Sequence, residues 1–294
     1  MRFVFLDKIA LATMAMFLFL LGTLLFCHTV LASRHSLSSF VPEPSISLTQ
    51  GDEGLFLLFS DIHCDPFYGT PRATNPSNCS IGAPTPGQRN CDAPWSLVES
   101  SIAAAKKAYP NPDFIIFAGD LARHDMQKLG LDALPVMSSI IANVSSLFDS
   151  YFPNISRFGS PAVEAHASIV ITLGNNDVVP GYNLDLNAPN ATMNQTNPML
   201  KLLADAWRHE LSSDEYNNVA LGGFYKREIV PGIHIFSINT LFYSTHHTPN
   251  TSFVTDPDAQ FDWLKTQLFA VRAAGHRAYI VGHIPPVIDS CKFL

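Results

Sequence analysis

Residues 113–125 read DFIIFAGDLARHD, and the fold turns on how this stretch is read. Residues 114–118 are a short apolar run of the kind that makes a buried strand. The run stops at Gly119-Asp120, so a carboxylate is presented where the strand ends. A charge there is costly unless something cationic receives it. Taken alone, Gly-Asp after a strand is a turn. The same design recurs three more times: residues 55–60 end in Asp61-Ile62-His63, residues 168–173 in Gly174-Asn175-Asn176-Asp177, and residues 278–281 in Gly282-His283. Four apolar strands, each closing in oxygen or imidazole donors, read as one site assembled from four places.

Between these strands the spacing predicts helices. Trp95, Val98, Ile102 and Ala105 recur at helical intervals, with Asp92 as cap. Leu134, Met137, Ile141, Val144 and Phe148 mark a second helix whose apolar face reads as core. Met199, Leu202, Leu203, Ala206 and Trp207 form a third. Asp256-Pro257 opens a fourth, which carries Phe261, Leu264, Leu268 and Val271 and closes at Gly275. Residues 224–230 and 233–239 flank Pro231-Gly232 and read as a hairpin. Strands alternating with helices give an α/β class, with a mainly parallel sheet and one antiparallel hairpin.

At 294 residues, 47% of them hydrophobic, the chain can bury one substantial core. A formal charge of −7 without a long basic run argues against a nucleic-acid groove. Residues 9–27 are almost uninterruptedly apolar behind Arg2 and Lys8, and the small residues of Val30-Leu31-Ala32 follow. Residues 1–32 therefore read as a signal peptide or signal anchor, the length of the run favouring the membrane anchor. Residues 33–52 read as a serine-rich flexible stalk and 53–294 as the folded domain. Delivery is expected to the secretory pathway, either secreted or into a lumen. Glycosylation sequons at Asn78, Asn143, Asn154, Asn190, Asn194 and Asn250 agree with that route. Cys64, Cys79, Cys91 and Cys291 permit three disulfide pairings, of which Cys79–Cys91, closing a Pro/Gly-rich loop, is the best single pair.

In α/β sheets ligands collect at the carboxyl ends of strands, where Asp61, His63, Asp120, Asn175 and His283 all stand. Oxygen and imidazole donors without thiolates suit a hard or borderline divalent ion: zinc first, with manganese, iron or magnesium as alternatives. Asp120 is the natural bridge between two ions. Asp61 and His63 complete one, Asn175 and His283 the other, and a bridging water acidified by both is the expected nucleophile.

The ordered set Asp-x-His, Gly-Asp, Gly-Asn-(His/Asn)-(Asp/Glu) and Gly-His resembles the calcineurin-like metallophosphoesterases. Gln260 with Trp263-Leu264 is similar to the Gln-x-x-Trp-Leu helix that these enzymes often carry. Within the family, Ser60-Asp61-Ile62-His63-Cys64-Asp65-Pro66, Gly119-Asp120 followed by His124-Asp125, and Gly282-His283-Ile284-Pro285-Pro286 look like the acid sphingomyelinase and endopolyphosphatase branch. The resemblance implies a four-layer αββα sandwich, two divalent metals, and a hydrolase of phosphodiester or phosphoanhydride bonds acting on polyphosphate or a phospholipid head group.

Two departures shape the expectation. Asn176 stands where most relatives carry a histidine that helps protonate the leaving group, so His124 becomes the candidate acid. Its alternative is a solvated histidine at a helix start. A ceramide alkoxide wants a proton when it leaves, whereas a phosphate chain leaves readily. The reading therefore leans to endopolyphosphatase-like cleavage over a sphingomyelinase-like phosphodiesterase. Asn176 and His246 are candidates for substrate contact, with a solvated loop as the alternative for His246. The second departure is that the family's final Gly-His-x-His is not met before Leu294. The sandwich is accordingly expected to be incomplete at the C-terminus, and a catalytically deficient lumenal domain is the rival reading. His166, His209, His234 and His276 show no ligand-like context, and Asp205, Glu210, Asp214 and Glu215 read as a solvated helical face and its end. No Gly-x-Ser-x-Gly elbow supports a serine hydrolase.

Overall fold

The computed structural model describes residues 54–84, 86–153, 155, 169–185, 197–249 and 254–285. The expected targeting segment and stalk lie outside these residues, as do Asn154, Asn190, Asn194, Asn250, His166 and Cys291. The chain divides into two units, Met1–Phe56 and Leu57–Leu294, and the second holds the elements below apart from the first residue of the first strand.

Among the described residues, six strands form two sheets. In the first, β1 (Phe56–Phe59), β2 (Phe114–Phe117) and β3 (Ile169–Ile171) lie in that order. In the second the order is β4 (Tyr225–Val230), β5 (Ile233–Ser237) and β6 (Arg277–Val281). β2 and β3 run parallel with Ile115 opposite Ile169. The β4–β5 hairpin is antiparallel, and β6 joins β5 in parallel with Arg277 opposite Ile233. The strand–helix alternation read as one mainly parallel sheet and a hairpin, whereas the strands form two sheets, in line with the αββα sandwich that the family resemblance implies. The two sheets meet at the far edge of β3, where no further strand pairs among the described residues. The Ile171 N–H donates to Tyr225 Oη at 2.8 Å, Ser237 Oγ donates to Ile171 O at 3.0 Å, and Arg227 donates to Ile169 O. Side chains projecting from the second sheet satisfy backbone groups that an edge strand would otherwise leave open.

Helices α1 (Trp95–Ala108), α2 (Ala133–Tyr151), α3 (Pro198–Ala206), α4 (Ser213–Gly222) and α5 (Gln260–Ala273) complete the mixed α/β sandwich. β2 is buried at every position, as a parallel strand covered on both faces must be. α2 turns Ala133, Met137, Ile140, Ile141, Val144 and Phe148 inward, and the Phe148 ring meets Phe117 edge-on at 4.5 Å between centroids. Leu134, expected on that stripe, is exposed. Met126–Tyr151, which contains α2, is the one helical stretch among the described residues long and apolar enough to cross a membrane, and its apolar stripe belongs to the core. On α5, Leu264 and Val271 pack against Phe236, while Phe261 faces outward rather than into the core.

The helix starts bring a further correction. α4 opens on a capping box in which Ser212 and Glu215 exchange hydrogen bonds. Glu215 is not a solvated residue: it is buried and takes both Nε and Nη2 of buried Arg227 at 2.8 Å. Glu210 is buried as well. The two-point pairing offsets the desolvation that an inward arginine costs. α1 starts after Pro94 with no side-chain cap, so Asp92 is not the expected cap. A Cys79–Cys91 disulfide closes the loop ahead of it, whereas Cys64 is free and buried. The Asn78 and Asn143 side chains are exposed.

Candidate metal centre

Asp61 and His63 follow β1, Asp120 follows β2, Asn175 follows β3 and His283 follows β6, so both sheets aim their carboxyl ends at one place. β1, β2 and β3 end a residue or two before the runs read for them, and the backbone then turns sharply. Asp61, His63 and Asp120 have φ of 54°, 43° and 59°, in the left-handed region that ordinary residues avoid. Each such residue costs on the order of 1 kcal/mol and persists only where its surroundings enforce it. The enforcement is visible: the Asp61, His63 and Cys64 amides donate to the carbonyls of Gly119, Asp120 and Leu121 at 3.0, 3.0 and 2.9 Å. Gly119 and Gly174 let the two loops touch. A Cβ on Gly119 would meet Gly174 Cα at 2.7 Å, and one on Gly174 would overlap the backbone N and Oδ1 of Asp120.

Asp177, which the sequence reading passed over as a site residue, straps these turns together. Its carboxylate accepts from the backbone N–H groups of Asp120, Leu121, Ala122 and Gly174 at 2.8, 2.8, 3.2 and 2.9 Å. Burial and the Asp120 charge push its pKa up against the pull of those donors. Its place in the Gly174-Asn175-Asn176-Asp177 motif was the available signal.

The donor atoms then converge. Asp61, Asp120 and His283 each bring one ligand atom within 4.8 Å of the others. His63 Nε2 and His283 Nε2 lie 3.5 and 3.4 Å from the same oxygen, Asp120 Oδ2. Asn175 Oδ1 is 3.1 Å from His283 Nε2. Behind the rings, His283 Nδ1 sits 2.7 Å from Ala118 O and His63 Nδ1 3.2 Å from Ala122 O. A carbonyl can only accept, so Nδ1 carries a proton in both rings, and Nε2 is the nitrogen that faces the centre, able to ligate once it bears no proton. Nitrogen and carboxylate lone pairs aimed into one space, backed by carbonyl-anchored imidazoles, fit divalent metal ions.

Electrostatics express the same convergence. Burial opposes a charged His283, but Asp120 outweighs it and raises the ring to about 9. His63 is likewise raised, burial being outweighed by Asp61 and Asp120. The His63 ring holds Asp61 down at about 2, against its partial burial. Asp120 is lowered: His283 and the Asn176 donors overcome its burial.

The remaining candidates fall into place around this centre. Asn176 is buried and turns to Asp120, its backbone N–H reaching Oδ1 and its amide reaching Oδ2, both at 2.7 Å. His124 stacks on His63 with centroids 4.0 Å apart, and its Nδ1 lies 2.7 Å from Asp92 Oδ1. His246 is exposed and meets the Tyr182 ring edge-on at 5.5 Å. Tyr182 in turn donates its N–H to Asn175 O at 2.9 Å. His234 and His276, which show no ligand-like context in the sequence, have one in the fold: His234 Nε2 lies 2.9 Å from His276 Nδ1, with Glu228 in the same group. That group sits at the opposite end of the second sheet, where β5 and β6 begin.

Comparison with known proteins completes the description. The calcineurin-like phosphoesterase family model matches residues 54–293. The chain is similar to Sphingomyelinase phosphodiesterase D of Dictyostelium discoideum, 32% identical over 77% of this chain and 44% of that protein. It is also similar to acid sphingomyelinase-like phosphodiesterase 3b of Mus musculus, 31% identical over 79% of this chain and 48% of that one. An endopolyphosphatase of Neurospora crassa is 29% identical over 86% of this chain and 34% of its own length. The chain thus spans less than half the length of these curated relatives.

Proposed function

The chain belongs to the calcineurin-like phosphoesterase family, and from that premise we propose that it is a metal-dependent hydrolase of phosphoanhydride or phosphodiester bonds. The observation that carries this reading is the meeting of Asp61, His63, Asp120, Asn175 and His283 with their lone pairs directed inward. Asp61, His63 and Asp120 would hold one divalent ion, and Asp120, Asn175 and His283 a second, with zinc favoured by a donor set of imidazole and carboxylate without thiolate. Such ions, when bound, polarise a phosphoryl oxygen and lower the pKa of water.

The chain's own residues bear on which bond is cut. Asn176 commits its amide to Asp120 and has no proton to give a departing group. That supports a substrate whose leaving group needs little help, and polyphosphate is our first choice, the activity in the names of the Neurospora crassa and Debaryomyces hansenii relatives. A second reading, cleavage of a phosphodiester such as sphingomyelin, is favoured by His124, a half-exposed imidazole stacked beside His63 that can serve as the acid instead. His246 on the Tyr182 rim is our candidate for substrate contact.

The Cys79–Cys91 disulfide supports an oxidising, secretory setting, and within it we read residues 1–32 as the signal or anchor, 33–52 as stalk and 53–294 as the phosphoesterase domain. Incubating the chain with zinc or manganese and either polyphosphate, sphingomyelin or a nitrophenyl phosphodiester tests the reading. Shortening of polyphosphate that disappears in Asp120→Asn is the expected result. Cleavage of the diesters alone would move the assignment to the second reading, and hydrolysis of none would make the domain a catalytically deficient one.

A further inference from the structure

Asp92 spends both of its carboxylate oxygens on one residue. Oδ1 takes the His124 ring nitrogen Nδ1 at 2.7 Å, and Oδ2 takes the His124 backbone N–H at 2.8 Å. The Thr74 hydroxyl donates to Oδ2 at 2.6 Å and steadies it from behind. Asp92 itself is only 9% exposed, on a segment fixed from two sides. Cys91 before it is tied to Cys79, and Ala93 after it pairs with residues 63–65, donating to His63 O at 2.9 Å and accepting from Asp65 N at 2.8 Å. Because α1 begins at Trp95 without a side-chain cap, a helix start does not account for this carboxylate.

We propose that Asp92 is the positioning residue for His124, holding its ring with Nδ1–H toward Asp92 and Nε2 turned toward the leaving group. This rests on the phosphoesterase reading above. The stacking on His63 brings the held ring beside the candidate ligands, and half of the His124 side chain stays open to a substrate. The step balances. A water gives up one proton to solvent as its oxygen bonds to phosphorus, the bond from phosphorus to the leaving oxygen breaks, and that oxygen takes the proton from Nε2 of the imidazolium. The ring is left neutral, with Nδ1–H still on Asp92. A proton supplied in this way matters in proportion to how poor the leaving group is. The sequence held the residue in plain view as Cys91-Asp92-Ala93-Pro94 but pointed to a cap.

The test compares the full chain with Asp92→Asn, a change of nearly equal shape, on two phosphodiesters: an alkyl ester and a p-nitrophenyl ester. The expected result is a fall in kcat for the alkyl ester about 100-fold greater than for the nitrophenyl ester, with KM moving less than about threefold. His124→Ala gives the same skew, and the double variant is no worse than His124→Ala alone, since the two residues act as a unit. Nitrogen-15 NMR of the His124 ring reports an Nδ1-protonated signal in the wild type that Asp92→Asn shifts. Equal losses on both esters, additive effects, loss of a bound metal in Asp92→Asn, or an unchanged ring spectrum would each overturn the proposal. A wild-type chain inactive on both esters would overturn the phosphodiester reading instead, leaving polyphosphate cleavage untouched, and the ring spectrum would then decide whether Asp92 holds His124.

Discussion

Four backbone N–H groups end on the carboxylate of Asp177, so this residue holds the loop that carries Asp120 without standing among the candidate ligands. Asp177→Ala strands those donors in a buried place, and each costs about 1–3 kcal/mol when unsatisfied. Urea unfolding of this variant is expected to show a loss of at least about 3 kcal/mol, together with lower metal content; a near-neutral change would remove Asp177 from its strapping role. His283 gives a pH prediction for protein stripped of metal by a chelator. Asp120, outweighing burial, raises its folded-state pKa to about 9 from an unfolded value of 6.5. The raised value means that the folded state binds the proton more tightly. The stabilisation is therefore present in full below about pH 6.5 and is lost as pH rises through about 9. The Tm of stripped protein should fall by a few degrees between pH 6.5 and 9.5, and His283→Gln should flatten that slope; a rising Tm would contradict the assignment. Cys64 is simpler: burial pushes its thiol up to about 12, so peptide mapping should find it unalkylated at pH 8 in the folded chain.

At the level of elements, the apolar runs reported strands and the helical stripes reported helices because burial is what the patterns encode. β2 and α2 were legible for that reason, as were the donors at four strand ends. What was not legible needed partners distant in sequence. Alternation in β4 turns Tyr225, Arg227 and Ile229 inward, and an arginine read alone looks like a solvent residue. Its place becomes sensible only once Glu215, Glu210 and the edge of β3 are present around it. Periodicity alone did not carry the division into two sheets, since side chains rather than backbone close the β3 edge; the family motifs implied it. Asp92 misled because an acid shortly before a helix resembles a cap, whereas its partner is thirty-two residues further on. Arg227→Ala should destabilise by about 3–5 kcal/mol by leaving Glu215 buried and unpaired, and Arg227→Met with Glu215→Met should recover most of that loss in thermal unfolding. A double variant no better than the single would show that the contact to β3, not the ion pair, dominates.

Across the described residues, two sheets and the helices packed on them bring strand ends together at Asp120 from positions as far apart as Asp61 and His283. The left-handed turns at Asp61, His63 and Asp120, the back-to-back glycines and the Asp177 strap all serve that convergence. The chemistry proposed for the chain depends on its holding metal there. The measurement that tests this most directly is elemental analysis of the purified chain after removal of free ions, alongside Asp120→Asn. Close to two divalent ions per chain are expected, with loss of both in the variant because Asp120 would serve each. One ion or none in the wild type, or two retained without Asp120, would contradict this expectation.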